Sequence, residues 1–312
     1  MNELKVNETI TESWKSFFLS FMMLSGFWVI FFFIFARFFP GMIRLYVGAT
    51  VLATIVGVLL LLFNELMVRL FMDLKRVEER EQAEILWDVV HEICEQIKCS
   101  CPRIYISEVK ETNAFAFGLG IFGSSAVGAT RGIIDELSRE ELKAVMAHEI
   151  GHIQNRDLIV SIMMTIAAMT FAFSGWLVKE YGPYFISSEN DSGKSDSKSE
   201  SNGIGYIIFC IIVIPILGAI VYYFGRLFAY VLQMYVSRKR EYAADAFSTR
   251  TMGNSDYLVT ALEKIVRNPA IGSRRVNAAF GFLCTADPDV SDFLSTHPAF
   301  DKRIEALHGL MQ

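Results

Sequence analysis

Four stretches of the chain carry no Asp, Glu, Lys or Arg: residues 17–36, 45–63, 158–178 and 204–224. A helix rises about 1.5 Å per residue, so roughly 20 apolar residues suffice to cross a hydrocarbon core. One such run could be a buried core helix; four of them in 312 residues predict four transmembrane helices. The first is Phe-rich and lacks a small-x-small cleavage site, which predicts an uncleaved anchor rather than a secretory signal. Pro40-Gly41 predicts a tight hairpin between the first two runs, and Pro215 predicts a kink in the fourth.

The remaining segments read differently. Across residues 74–98, Val77, Ile85, Leu86, Val89, Val90, Ile93 and Ile97 recur at helical spacing and predict one amphipathic helix. His91 falls within it, as a surface or packed residue. After Pro102 the period shortens. Ile104 and Ile106 alternate, 114–117 is short and aromatic, and 125–130 is short and small, predicting a small antiparallel sheet of two or three strands. Ser138 with Glu141 forms a capping box, and Leu142, Val145, Met146 and Ile150 continue a helix within 138–157. Residues 187–203 are Ser-rich and charged, predicting a solvated loop. No breaker interrupts 227–250, so the fourth apolar helix is expected to run on, with two further helices at 256–267 and 298–310.

Composition sharpens this picture in three places. At 53% hydrophobic and only 20% charged residues, the chain is more apolar than an ordinary soluble domain. No basic stripe with interleaved aromatics accompanies the net charge of −5, which removes nucleic acid as a partner. The five cysteines lack paired C-x-x-C spacing and read as free thiols. Arg69, Lys75, Arg76, Arg80 and the run 238–240 flank the second and fourth apolar stretches, against Arg37, Arg44 and the acid-diluted Lys179, Lys194 and Lys198 opposite. That bias places the segments beside the second and fourth stretches, and with them both termini, on the cytoplasmic side. Four segments follow: a leader and hairpin at 1–72, a first soluble part at 73–157, a second pair of spans with its loop at 158–236, and a second soluble part at 237–312.

The candidate chemistry lies in His148-Glu149-Ile150-Gly151-His152. Positions i and i+4 share one helix face, so two imidazoles can take two corners of a tetrahedral zinc site. Glu149 then lies where a carboxylate accepts a proton from an attacking water. A metzincin would continue with Gly and His where this chain has Asn155 and Leu158. The third ligand therefore comes from elsewhere, with Glu241 and His297 as candidates. Glu241 has Asp245 one helical turn on, which suits a ligand beside a carboxylate that orients an imidazole.

Taken in order, the segment 112–118 (Thr-Asn-Ala-Phe-Ala-Phe-Gly), the 148–157 motif, the 237–245 segment and Thr296-His297-Pro298 resemble the membrane zinc metallopeptidases of the HtpX type, in peptidase family M48, within a larger group that includes the prenyl-protein peptidases. The resemblance implies a mainly α fold: four transmembrane helices with a cytosolic zincin-like α+β catalytic domain. It implies one zinc ion on His148, His152 and Glu241, Glu149 as catalytic base, and Asp245 as the second carboxylate. Asn113, with Ala114 and Phe115, matches the substrate-binding strand, and His297 matches a cleft histidine able to hydrogen-bond an oxyanion. The implied activity is endoproteolysis of misfolded or damaged membrane proteins at the inner face of the cell membrane, with protein substrates and the lipid bilayer as partners. Two alternatives stand beside it. A specific processing peptidase for prenylated proteins normally needs a larger membrane chamber than four spans. A non-catalytic interaction protein with a structural zinc leaves Glu149 without a role.

Overall fold

The computed structural model of the chain describes residues 3–38, 43–71, 73–118, 125–161, 212–267 and 300–311, with isolated positions between 162 and 180. The polar loop 187–203 and His297 lie outside the described residues, as do Cys210, Cys284 and most of the run 158–178. In chain order the elements are α1 (Glu3–Phe38), α2 (Ile43–Leu62), α3 (Asn64–Phe71), β1 (Lys75–Val77), a 3-10 turn (Arg80–Gln82), α4 (Glu84–Ile97), β2 (Arg103–Ser107), β3 (Ala114–Phe117), β4 (Ala126–Thr130), α5 (Arg131–Glu136), α6 (Arg139–Gln154), α7 (Ile214–Met252), α8 (Asp256–Arg267) and α9 (Phe300–Met311). Two compact units arise: residues 1–17, 60–161 and 234–312 form one, and 18–59 with 162–233 the other. Among the described residues, no helix is long and apolar enough to cross a membrane. In the second unit, large apolar side chains such as Met22, Phe33 and Tyr223 are more than half exposed.

The fold is mainly helical with a small mixed sheet. This corrects the antiparallel expectation. The strand order is β1-β2-β4-β3, and β2 pairs with β4 in parallel. The chain leaves a gap beside β2, lays β3 at the far edge, and returns with β4 to fill the gap. All five residues of β4 are buried, as a central strand covered on both faces requires. The second correction is at 75–77. Val77 fits the helical spacing of α4, yet it pairs with Ile104 in an antiparallel edge strand. Asp73, at φ 47, turns the chain out of α3, and α4 begins only at Glu84.

Alternation along β2 divides the interior of the first unit. Ile104 and Ile106 face a core built with Leu86, Val90 and Ile93 of α4, Leu142, Val145 and Met146 of α6, and Leu258 and Leu262 of α8. Tyr105 points to the other face, with Phe115, Phe117 and Val68 of α3. There Arg103 and the Tyr105 hydroxyl both donate to Glu65. The consequence for the site is that α6 is enclosed. Ten of its residues between Glu141 and Gly151 are buried, so whatever it carries is held by packing on several sides. Its start is the capping box read from the sequence: Glu141 N–H donates to Ser138 Oγ, and Ser138 N–H to Glu141 Oε2. Lys264 of α8 donates to the same carboxylate oxygen at 2.7 Å. Cys94, Cys99 and Cys101 are free thiols.

Candidate metal centre

Three side chains from two helices converge. His148 and His152 sit one turn apart on α6, with Nε2 atoms 3.1 Å from each other. Glu241 arrives from α7, with Oε2 3.6 Å from His148 Nε2 and Oε1 3.6 Å from His152 Nε2. Among the described residues these three alone form a group of potential metal donors. Zinc bonded to N and O at roughly 2.0–2.1 Å in a tetrahedron sets its ligand atoms about 3.3 Å apart. The observed spacings bracket that value, so the donor set fits a zinc-sized ion with one corner left over.

Each imidazole is held by its other nitrogen. His148 Nδ1 lies 2.9 Å from Asp245 Oδ1, and His152 Nδ1 lies 2.6 Å from Asp157 Oδ2. An imidazole that gives its Nδ1–H to a carboxylate presents the Nε2 lone pair to the opposite side, where a metal ion would be bound. Asp245 is itself gripped by Arg303 of α9, through Nε to Oδ2 at 2.9 Å and Nη2 to Oδ1 at 2.6 Å. The same guanidinium places Nη1 3.4 Å from Glu241 Oε2. Four carboxyl groups (149, 157, 241 and 245) thus surround two imidazoles with one guanidinium among them. That imbalance favours a dication.

Burial by itself would raise the Asp245 carboxyl, but the charge of Arg303 and the bond to His148 hold it below the usual range. For His152, burial opposes the charged form. The Asp157 hydrogen bond, followed by the nearby Glu241 and Glu149 carboxylates, overrides it and pushes the imidazole up to about 9 in the metal-free protein. His148, Glu149, Glu241 and Asp245 are almost completely buried, whereas His152 is partly open to solvent.

The expected substrate strand lies beside α6. Asn113 precedes β3 and is anchored to Thr130: its N–H donates to Thr130 Oγ1, and its carbonyl accepts from Thr130 N–H. Ala114 and Phe115 are fully buried within β3, which among the described residues pairs only with β4. His297 lies outside the described residues.

Two functional neighbours escaped the sequence reading. Arg303 carried a signal: it falls on the apolar face of its helix with Ile304, Leu307 and Leu310, where an unpaired charge would be untenable. Asp157 closes the 148–157 motif but takes no role in that reading, because a continuous helix would point it away from His152.

The family model described as Peptidase family M48 matches residues 79–311. A relative named Protease HtpX homolog from Aquifex aeolicus (strain VF5) is 34% identical over 232 residues, covering 73% of this chain and 72% of its own length. Another of that name, from Listeria monocytogenes serotype 4a (strain HCC23), is 29% identical over 274 residues, or 85% of this chain and 88% of its own. The crystal structure of S. mikatae Ste24p is similar in fold, with a TM-score of 0.54 at 21% identity, covering 97% of this chain and 67% of that one.

Proposed function

The chain belongs to peptidase family M48, with HtpX-type proteases as its relatives, and from that premise we propose that it is a membrane-embedded zinc endopeptidase. Its substrates on this reading are misfolded or damaged membrane proteins, cut at the cytosolic face. The observation that carries the proposal is the convergence of His148, His152 and Glu241 at tetrahedral spacing, each imidazole backed by a carboxylate.

Zinc held by these three side chains would supply a polarised water and positive charge toward a scissile carbonyl. The chain's own groups do the rest. Glu149 takes the proton from the attacking water and passes it to the leaving amine, a role worth typically about 10²–10⁴-fold in rate. His297 donates a hydrogen bond to the developing oxyanion. Asn113, Ala114 and Phe115 lie along the strand that, among the described residues, is outermost in its sheet, and a peptide aligned with it would be held by its backbone rather than by its sequence.

The membrane assignment rests on the four uncharged runs, 17–36, 45–63, 158–178 and 204–224, and on the exposed apolar side chains of α1, α2 and the first half of α7. The segments 1–72 and 158–236 supply the spans, and 73–157 and 237–312 the catalytic domain, with both termini cytoplasmic.

The test compares the parental protein with Glu149→Gln, both purified with chelator present and then reloaded. The variant is expected to take up one zinc per chain and to lose cleavage of an unfolded membrane protein by at least about a hundredfold. Cleavage at the parental rate would remove Glu149 from the chemistry. A clear preference for a prenylated peptide over the unmodified protein would shift the assignment to a processing peptidase.

A further inference from the structure

Helix α6 stops at Gln154, two residues after the second histidine of the metal cluster. Asn155 caps it, and Arg156 then adopts φ 56, in the left-handed region. A side chain five positions along a continuous helix would be rotated about 140° from its starting point, facing away. The left-handed residue abolishes that geometry. Beyond it, Asp157 Oδ2 lies 2.6 Å from His152 Nδ1. A non-glycine residue in this region costs on the order of 1–2 kcal/mol, so the surroundings must impose the turn.

What imposes it comes from α7. Arg240 donates through Nη1 to both the Asp157 carbonyl and Ser161 Oγ. It thereby fastens the turn after α6 from a position one residue before Glu241. The sequence bias that counted Arg240 among membrane-flanking charges missed this internal role. Helix α7 thus touches the cluster twice: directly through the Glu241 carboxylate, and indirectly through Arg240, Asp157 and the His152 ring.

We infer that Asp157 and Arg240 form a latch that sets the orientation of His152 relative to Glu241, both acting as positioning residues for the metal. The inference rests on the reading of the cluster as a zinc site. Asp157 fixes the imidazole tautomer and rotation so that Nε2 faces Glu241, as orienting carboxylates do for ligating histidines. Arg240 acts one step further out, by holding the backbone from which Asp157 reaches. It follows that the contribution of Arg240 passes through Asp157 and disappears without it.

The experiment uses the full chain carrying Glu149→Gln, to prevent self-cleavage, and reads zinc affinity by chelator competition together with the absorption spectrum of the cobalt-substituted protein. Asp157→Ala is expected to weaken zinc binding about 10–100-fold and to alter the cobalt spectrum. Asp157→Asn keeps the shape and an acceptor oxygen, and should fall between the parent and the alanine variant. Arg240→Ala should weaken binding by itself yet add nothing in the Asp157→Ala background. Two results overturn the latch: Asp157→Ala binding zinc within threefold of the parent with an unchanged spectrum, or additive losses in the double variant. Lowered thermal midpoints of the metal-free variants with unaltered zinc affinity would likewise overturn it, by making the pair merely structural. Failure of the Glu149→Gln parent itself to bind zinc would instead remove the metal reading on which the latch depends.

Discussion

Arg303 and Asp245 meet through two parallel hydrogen bonds, at 2.6 and 2.9 Å, with both side chains almost fully withdrawn from water. Fork-to-carboxylate pairing fixes direction as well as distance, and here Oδ1, which accepts from Arg303 Nη2, also lies 2.9 Å from His148 Nδ1. Removing one partner of a buried pair leaves the other charge uncompensated, typically at about 3–5 kcal/mol. Arg303→Met is therefore expected to lower the stability of the metal-free protein by roughly that amount in a denaturant titration. Arg303→Lys should recover only part, since an ammonium cannot make the paired contact. Saturating zinc should offset some of either loss, because binding only to the folded state stabilises it. An Arg303→Met protein as stable as the parent would show that the carboxylates are compensated elsewhere.

Glu141 predicts a pH dependence that does not involve the metal cluster. Burial would raise its carboxyl, but Lys264 and the Ser138 amide and hydroxyl lower it below the usual 4.5. A depressed folded pKa contributes stability above the unfolded value and loses it as pH falls through the folded one. Glu141→Gln should therefore cost about 1–2 kcal/mol at pH 7, on the scale of a helix cap plus a charged hydrogen bond. The gap between variant and parent should close as the pH drops below about 4.5. Thermal midpoints of both proteins from pH 3 to 8 would show it, and a gap constant across that range would contradict it.

Gly132 and Gly309 predict opposite signs for one substitution. A Cβ at Gly132 would lie 2.1 Å from the Lys110 carbonyl oxygen, in the backbone loop leading to Asn113. The loop would have to move, so Gly132→Ala should destabilise by about 3 kcal/mol and disturb β3. At Gly309, inside α9, the added Cβ meets nothing within 4 Å. Gly309→Ala should stabilise by up to about 1 kcal/mol, the helix preference of alanine over glycine. Urea midpoints of the two variants against the parent decide both.

The parts of this structure that are legible in the sequence are those fixed by neighbours along the chain. Ser138 and Glu141 announce the start of α6 because a capping box closes within four residues, and α8 begins and ends where its apolar spacing does. The two histidines are legible for the same reason, since one helical turn separates them. Glu241 lies 89 residues beyond His152 and could be weighed only against His297, by chemistry and by resemblance. The illegible parts are decided by partners distant in sequence. Val77 continues a helical pattern through six residues of good helix formers, yet its pairing with Ile104 makes it a strand. Alternation in β2 and the short run of small residues in β4 mark them as strands but contain nothing about which neighbour each takes. Asp157 follows the left-handed Arg156, and its carbonyl is held by Arg240 of α7, 83 residues away.

Among the described residues β3 lies at the rim of its sheet, and on the proposed function that position has a consequence for selectivity. A substrate that adds to such a strand pairs through its own amides and carbonyls, which only an extended backbone can align. Helices and finished sheets have already spent those groups on themselves. A polypeptide laid there must already have lost its native shape over several residues. On the proposed function the first filter would then be conformational, and an intact neighbour would escape cleavage because it has no loose thread to offer.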